Sequence, residues 1–216
     1  MENIKDRLQK LYEASATAYE SKAGHAIPAN EDALWRADLA VALDCSVGRR
    51  ALDIGAGTGV FTRFLAAHGF SVTGIDPSAE MIAQAKAQVS GAVSFIHGPA
   101  ESAEQFEAES FHLIAARQSA CCFDDPMAVF AGWYRLLVQG GCALVIEGIW
   151  TRQSWGDDVL IDGLPLSCVH TRATIPYFLR SSGFSVVRND WLYSVNRHHG
   201  VSNGAPGSRY FVLASK

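Results

Sequence analysis

The stretch that decides the fold is residues 51–60, which read ALDIGAGTGV. Its apolar start is typical of a short buried strand, and residues 60–68 repeat apolar side chains at helical spacing. Gly55, Gly57 and Gly59 lie between these elements, where glycine lets the backbone turn sharply and lets a ligand approach the main chain. The stretch therefore predicts a strand, a glycine turn and a helix that together bind a ligand through the backbone.

Two carboxylates indicate what kind of ligand this is. Asp76 ends the next apolar run about 20 residues later, where a carboxylate can accept both hydroxyls of a ribose. Asp53 precedes the first glycine, where it would repel a pyrophosphate but suits the ammonium group of a methionine. A dinucleotide site would also space its glycines G-x-G-x-x-G, whereas the spacing here is G-x-G-x-G. The pattern favours S-adenosylmethionine over a dinucleotide.

Strand-like and helix-like runs alternate from residue 49 onward, which predicts a doubly wound parallel sheet. The predicted strands are 50–54, 71–75, 93–97, 111–116 and 142–149, and the predicted helices are 60–68, 78–89, 126–138 and 173–182. Two more strand-like runs, 185–195 and 209–213, are separated only by the loop at 198–208. This loop is too short for a parallel crossover, so the two runs are predicted to pair antiparallel.

The N-terminal part differs from this alternation. Apolar residues recur at helical spacing both before residue 13 and between residues 34 and 43, which predicts two helices. We expect them to form a lid over the sheet. The prediction is one domain, 1–216, made of a helical lid at 1–45 and a Rossmann-like core at 46–216; a chain of 216 residues that is 49% hydrophobic can bury one such core.

Further segments resemble the class I S-adenosylmethionine-dependent methyltransferases, in that family's order and spacing over residues 49–144. They are the glycine turn at 51–60, VTGIDPS at 72–78, the helix start at 78–82, GPAE at 98–101 and FHLIAAR at 111–117. The branch it resembles contains the ubiquinone- and menaquinone-biosynthesis methyltransferases, which act on small molecules. The resemblance implies a Rossmann-like, mostly parallel seven-stranded sheet with an antiparallel C-terminal hairpin, and S-adenosyl-L-methionine as the cofactor.

The chain departs from this family at two places in the predicted site. Pro99 stands where the family usually has an aspartate that accepts a hydrogen bond from the adenine amino group, and Glu101 is the candidate replacement. After Arg117 the small-molecule branch commonly has a histidine pair beside the transferred methyl, whereas this chain has Cys121 and Cys122. A catalytic base therefore does not follow from the resemblance.

The cofactor and the methyl acceptor are expected at the carboxyl ends of the strands. The predicted cofactor-binding residues are Asp53, Gly55, Gly57, Asp76, Pro77, Met81, Ala100, Glu101 and Arg117, with Tyr19 beside the methionine part. The acceptor is expected between the lid and residues 150–172, because long irregular loops in compact domains are usually functional. The predicted acceptor contacts are Tyr12, Cys122, Phe123, Trp150 and Trp155. His170 is the candidate general base, with Glu147 and His25 as alternatives.

Composition excludes several classes of function. A net charge of −4 leaves no basic footprint for nucleic acid, no apolar run of 18 residues predicts a membrane span, and no cysteine and histidine spacing predicts a metal. Five cysteines without a disulfide framework fit a cytoplasmic protein.

The prediction is a methyltransferase that acts on N or O of a small aromatic or heterocyclic acceptor, as a monomer or a homodimer. A methyltransferase for macromolecules and an inactive cofactor-binding protein are the alternatives.

Overall fold

The computed structural model describes residues 3–22, 24–44, 47–89, 91, 93–99, 104–169 and 171–216. Within these ranges seven strands form one sheet: β1 Arg50–Ile54, β2 Ser71–Asp76, β3 Val93–His97, β4 Phe111–Arg117, β5 Leu137–Gly148, β6 Ser185–Trp191 and β7 Arg209–Ser215. Their order is β3-β2-β1-β4-β5-β7-β6. The first five strands are parallel, and β7 pairs antiparallel with both β5 and β6. The predicted doubly wound sheet with an antiparallel C-terminal hairpin is confirmed.

Helices cover both faces of this sheet. They are α1 Ile4–Ser15, α2 Asp32–Asp44, α3 Val60–Ala67, α4 Ala79–Ala87, α5 Pro126–Leu136, α6 Asp158–Gly163, α7 Thr174–Ser181 and α8 Tyr193–His198. Two apolar clusters lie on opposite faces, one with Phe130 and Trp133 of α5 and the other with Trp35 and Leu39 of α2. The central strand β4 is buried on both faces, which explains its continuous apolar sequence.

Strand β5 begins earlier than the sequence pattern predicts. The helix predicted at 126–138 ends at Leu136, and the strand expected from residue 142 starts at Leu137. Leu137 pairs with β4, and the backbone of Gly140 and Gly141 exchanges hydrogen bonds with the C-terminal residue Lys216. These partners come from distant parts of the chain, so the glycine pair does not end the strand.

The strand predicted at 185–195 is wrong at its C-terminal end, because β6 stops at Trp191 and α8 follows. The carboxylate of Asp38 in α2 accepts the backbone N–H groups of Ser194 and Val195 at 2.8–3.0 Å, which caps the first turn of α8. Leu192 and Val195 are buried in the cluster that contains α2. A contact with the lid therefore decides the conformation of this segment.

In the described ranges no helix combines the length and the apolar character needed to cross a membrane.

Candidate active site

In the glycine turn at the carboxyl end of β1, no side chains cover the backbone of the glycines. Gly55 and Gly57 have φ angles of 66° and 55°, in the left-handed region that favours glycine. A Cβ atom at Gly55 would lie 2.5 Å from the Cβ of Ser119, and one at Gly57 would lie 3.9 Å from the ring of Tyr19. Side chains at these positions would therefore be strained, and at Gly55 one would also collide with Ser119.

Asp76 holds this turn in place from the end of β2. Its two carboxylate oxygens accept the backbone N–H of Gly57 at 2.8 Å and of Ser78 at 2.9 Å. The side chain is 7% exposed; burial raises the pKa of Asp76, and the two backbone hydrogen bonds oppose that rise. Each carboxylate oxygen has lone pairs to spare, so the group can also accept hydroxyls of a bound ligand.

A first cavity of about 410 Å³ opens at this point. Its lining includes six of the residues predicted to bind the cofactor, namely Gly55, Gly57, Asp76, Pro77, Met81 and Tyr19. The lid, the end of β3 and the segment after β4 supply the other walls, through residues such as Leu8, His97 and Ser119. The volume and the mixture of apolar walls with a few polar groups are those of a small-molecule site.

Two residues predicted to contact the cofactor, Asp53 and Arg117, form hydrogen bonds within the protein. Asp53 is 1% exposed and accepts the hydroxyl of Thr62 at 2.5 Å, so it ties β1 to α3 beneath the turn. Arg117 donates to the carbonyls of Gly24 and His25 at 3.0 and 2.9 Å and lies 5.0 Å from the Trp35 ring, which anchors the lid. Neither is among the described residues that line the cavities.

The buried carboxyl of Asp53 predicts a pH dependence of stability. Burial raises the pKa of Asp53 from 3.8 to about 7, so the folded protein holds this proton more tightly than the unfolded chain. Stability should therefore fall as pH rises from about 4 to about 7, by on the order of a few kcal/mol. Urea unfolding of Asp53→Asn across this range should show a smaller decline than the wild type. The exposed Asp44→Asn is the matched control; equal slopes for Asp53→Asn and wild type would contradict the prediction.

A second cavity of about 260 Å³ adjoins the first. Tyr12, Tyr19 and Gln118 line both cavities, so these three side chains form the boundary between them. The remaining lining consists of Leu11, Ser15, Lys22, His25, Cys121, Trp150, Ser154 and Trp155. The second cavity therefore lies between the lid and the ends of β4 and β5.

The five predicted acceptor contacts divide between the two cavities. Cys122 and Phe123 line the first cavity, Trp150 and Trp155 line the second, and Tyr12 lines both. Hydrogen bonds fix four of these five side chains. The Tyr12 hydroxyl lies 3.2 Å from the Cys122 Sγ, and the indole N–H groups of Trp150 and Trp155 donate to Glu147 at 2.9 Å and to the Ser167 carbonyl at 2.7 Å. The aromatic rings are thus held in position before any ligand binds.

The candidate bases are placed differently from one another. Glu147 is buried and accepts from the backbone N–H of Cys121 as well as from Trp150, outside the described lining of both cavities; burial raises its pKa. The structure therefore gives Glu147 a supporting role. His25 lines the second cavity. His170, like the predicted cofactor residues Ala100 and Glu101, lies outside the described residues.

Sequence reasoning missed one residue at the boundary of the two cavities. Gln118 directly follows β4 and has a φ angle of 55°, which is unusual for a residue other than glycine. The signal that could have identified it is its position directly after residues 111–117, the last of the segments that resemble the methyltransferase family. Within the described ranges no group of three or more His, Cys, Asp or Glu side chains is placed to hold a metal ion.

The doubly wound sheet, the glycine turn and the carboxylate at the end of β2 are arranged as in the class I S-adenosylmethionine-dependent methyltransferases. Residues 52–145 match the model of a family described as a methyltransferase domain. S-adenosylmethionine is the cofactor of this class, and the residues of the first cavity fit it, because Asp76 offers free lone pairs to a ribose beside the bare backbone of Gly57.

The chain is similar to enzymes of quinone biosynthesis. It is 35% identical over 104 residues to the demethylmenaquinone methyltransferase of Chlorobaculum tepidum, a match covering 48% of this chain and 42% of that protein. It is 26% identical over 103 residues to the ubiquinone biosynthesis O-methyltransferase of Psychrobacter cryohalolentis, covering 45% and 40%. The chain thus matches about two fifths of the length of these curated relatives.

A solved structure shares the fold over the whole chain. Phosphoethanolamine N-methyltransferase 2 of Haemonchus contortus, in complex with phosphomonomethylethanolamine and S-adenosylhomocysteine, superposes with a TM-score of 0.70 at 20% identity. The match covers 100% of this chain and 60% of that one.

Proposed function

We propose that this protein transfers the methyl group of S-adenosylmethionine to an oxygen or nitrogen of a small planar acceptor. The observation that carries the proposal is the pair of adjoining cavities that share Tyr12, Tyr19 and Gln118 as a common boundary. A methyl transfer needs two ligands side by side, and two cavities that share three lining residues are close enough to support that arrangement.

The first cavity is assigned to the cofactor. Asp76 would bind the ribose hydroxyls, Met81 would pack against the adenine, and Tyr19 would lie beside the methionine part. The bound cofactor supplies an electrophilic methyl carbon on a positively charged sulfur. The aromatic face of Tyr19 suits a neighbouring positive charge.

The second cavity is assigned to the acceptor. Its aromatic walls include Tyr12, Trp150 and Trp155, and such walls favour a flat ring system. The chain's main contribution to the reaction is alignment and exclusion of water, and orientation alone can supply roughly 7–11 kcal/mol. Because the indole nitrogens of both tryptophans are already bonded within the protein, the walls offer their ring surfaces to the ligand.

A quinone precursor with one or two rings is the acceptor that we favour. Two similar proteins are named for demethylmenaquinone and ubiquinone biosynthesis. The volume of about 260 Å³ suits a ring system of this size better than a segment of a macromolecule. Among the described residues Cys121, Cys122 and Cys168 are free thiols, which supports a reducing compartment such as the cytoplasm.

Calorimetry and a turnover assay test this function. The protein should bind S-adenosylmethionine and S-adenosylhomocysteine, show no binding of NAD, and methylate members of a panel of phenols and aromatic amines. NAD binding without S-adenosylmethionine binding would overturn the cofactor assignment. Cofactor binding without turnover on any member of the panel would instead favour an inactive cofactor-binding protein.

A further inference from the structure

The second cavity carries a positive charge on its wall. Lys22 is the lysine among the described residues that line this cavity, and no described aspartate or glutamate lines it. The Lys22 ammonium lies 6.0 Å from the centroid of the Tyr19 ring, and Tyr19 is a wall that the two cavities share. The described walls therefore offer a ligand a positive charge and no negative one.

The Lys22 ammonium forms no ion pair with a carboxylate in the part of the chain that the structure describes. Glu20, two residues earlier, binds the Arg63 guanidinium through both carboxylate oxygens at 3.1 Å. Glu147 is buried outside the described lining and accepts two N–H groups of the protein. These two carboxylates are already engaged, so the charge of Lys22 is available to a ligand.

The backbone of the lid holds Lys22 at the second cavity. Its N–H donates to the Tyr19 carbonyl at 3.2 Å, and its carbonyl accepts the N–H of His25 at 3.2 Å. Tyr19 and His25 line the same cavity. Arg117 donates to the His25 carbonyl at 2.9 Å and so ties this turn to the end of β4. The main chain at Lys22 is therefore fixed, although its side chain is exposed.

Two buried arginines add to the positive charge beneath this turn. Arg117 and Arg209 both donate to a lid carbonyl, at 3.0 and 3.4 Å. Burial, and then the charges of Arg117, Lys22 and Arg209, lower the pKa of His25 to about 4, so the imidazole is neutral at neutral pH. Glu31 acts on the two arginines but is not among the groups that act on His25. The potential at this wall of the cavity is positive and favours an anion.

We propose that the methyl acceptor carries a carboxylate in addition to the group that is methylated, and that Lys22 pairs with this carboxylate. The inference rests on the proposed function and names the class of acceptor, an aromatic acid. A single ammonium matches the single charge of a carboxylate, and about 260 Å³ holds one aromatic ring with its substituents. Lys22 lines the second cavity and not the first, so the acidic group stays out of the cofactor cavity. Lys22 selects the acceptor and makes or breaks no bond.

Two compounds of the same shape test this inference, namely 4-hydroxybenzoate, which is an anion at neutral pH, and 4-hydroxybenzamide, which is neutral. Calorimetry is done with saturating S-adenosylhomocysteine, which occupies the proposed cofactor site. The wild type should bind the benzoate about fivefold more tightly than the amide, as expected for a partly exposed ion pair. Lys22→Met removes the charge and should bind both compounds equally, Lys22→Arg should keep the preference, and added salt should reduce it in the wild type.

The controls separate this inference from loss of folding and from the proposed function. Lys86→Met, at an exposed lysine of α4 outside the described lining of both cavities, should behave as the wild type, and melting temperatures should show that all variants are folded. Equal affinity of the wild type for the two compounds, binding of neither, or a preference that survives in Lys22→Met would overturn the inference. A wild type that prefers the benzoate but methylates no acceptor would leave the carboxylate site in place and overturn the proposed function.

Discussion

Asp76→Ala is expected to weaken binding of S-adenosylmethionine by about two orders of magnitude or more. A hydrogen bond to a charged group contributes about 1.5–3 kcal/mol, and in the proposed site the carboxylate accepts two ribose hydroxyls. The substitution also removes the acceptor that holds the Gly57 N–H at 2.8 Å, so the glycine turn loses its main side-chain support. Isothermal titration calorimetry with S-adenosylmethionine measures the change.

Two further variants separate the ligand contact from the charge. Asp76→Asn keeps one oxygen as an acceptor and should lose less affinity than the alanine variant. Glu80→Gln removes a carboxylate from the exposed first turn of α4 and should bind the cofactor as the wild type does. An unchanged dissociation constant for a folded Asp76→Ala would remove Asp76 from the cofactor site.

Deletion of residues 1–29 should abolish turnover and weaken cofactor binding only moderately. The deleted segment supplies Tyr12, Tyr19 and His25 to the second cavity, so the acceptor would lose one entire wall. The glycine turn and Asp76, which carry most of the proposed cofactor contacts, remain in the sheet. Methyl transfer and calorimetry on the same truncated protein measure the two effects.

A full-length variant distinguishes closure of the lid from the mere presence of its residues. Arg117→Leu keeps every lid residue but removes the hydrogen bonds to the Gly24 and His25 carbonyls. It should lower turnover and increase hydrogen exchange in the lid. A truncated protein that stays fully active, together with a lid that gains no protection from exchange when the cofactor is added, would show that the acceptor enters from an open face.

The core of the sheet could be predicted because its signals are local. A buried parallel strand is a short apolar run, and a turn with positive φ angles needs glycine, as Gly55 and Gly57 show. The antiparallel hairpin followed from the length of one loop. The cofactor could also be predicted from local signals. The glycine turn and Asp76 follow two neighbouring parallel strands, β1 and β2, so the pairing of these strands brings them together.

The side-chain roles depend on contacts between distant segments. Asp53 and Arg117 end buried strands, as expected, but Thr62 and the lid carbonyls take their polar atoms away from the cavities. Residues 193–198 form a helix because Asp38 caps them. Local sequence patterns do not predict which distant residues will be hydrogen-bond partners.

The sequence by itself therefore determined the sheet, the glycine turn and the class of cofactor, because each depends on neighbours in the chain. The tertiary structure decided how the lid is anchored and which side chains face each other across the two cavities. Gln118 illustrates the difference: its identity carries no signal, and its place between the cavities arises only when β4, the lid and the segment after β5 pack together. Side-chain packing depends on residues that are far apart in sequence, so no local pattern of the sequence predicts it.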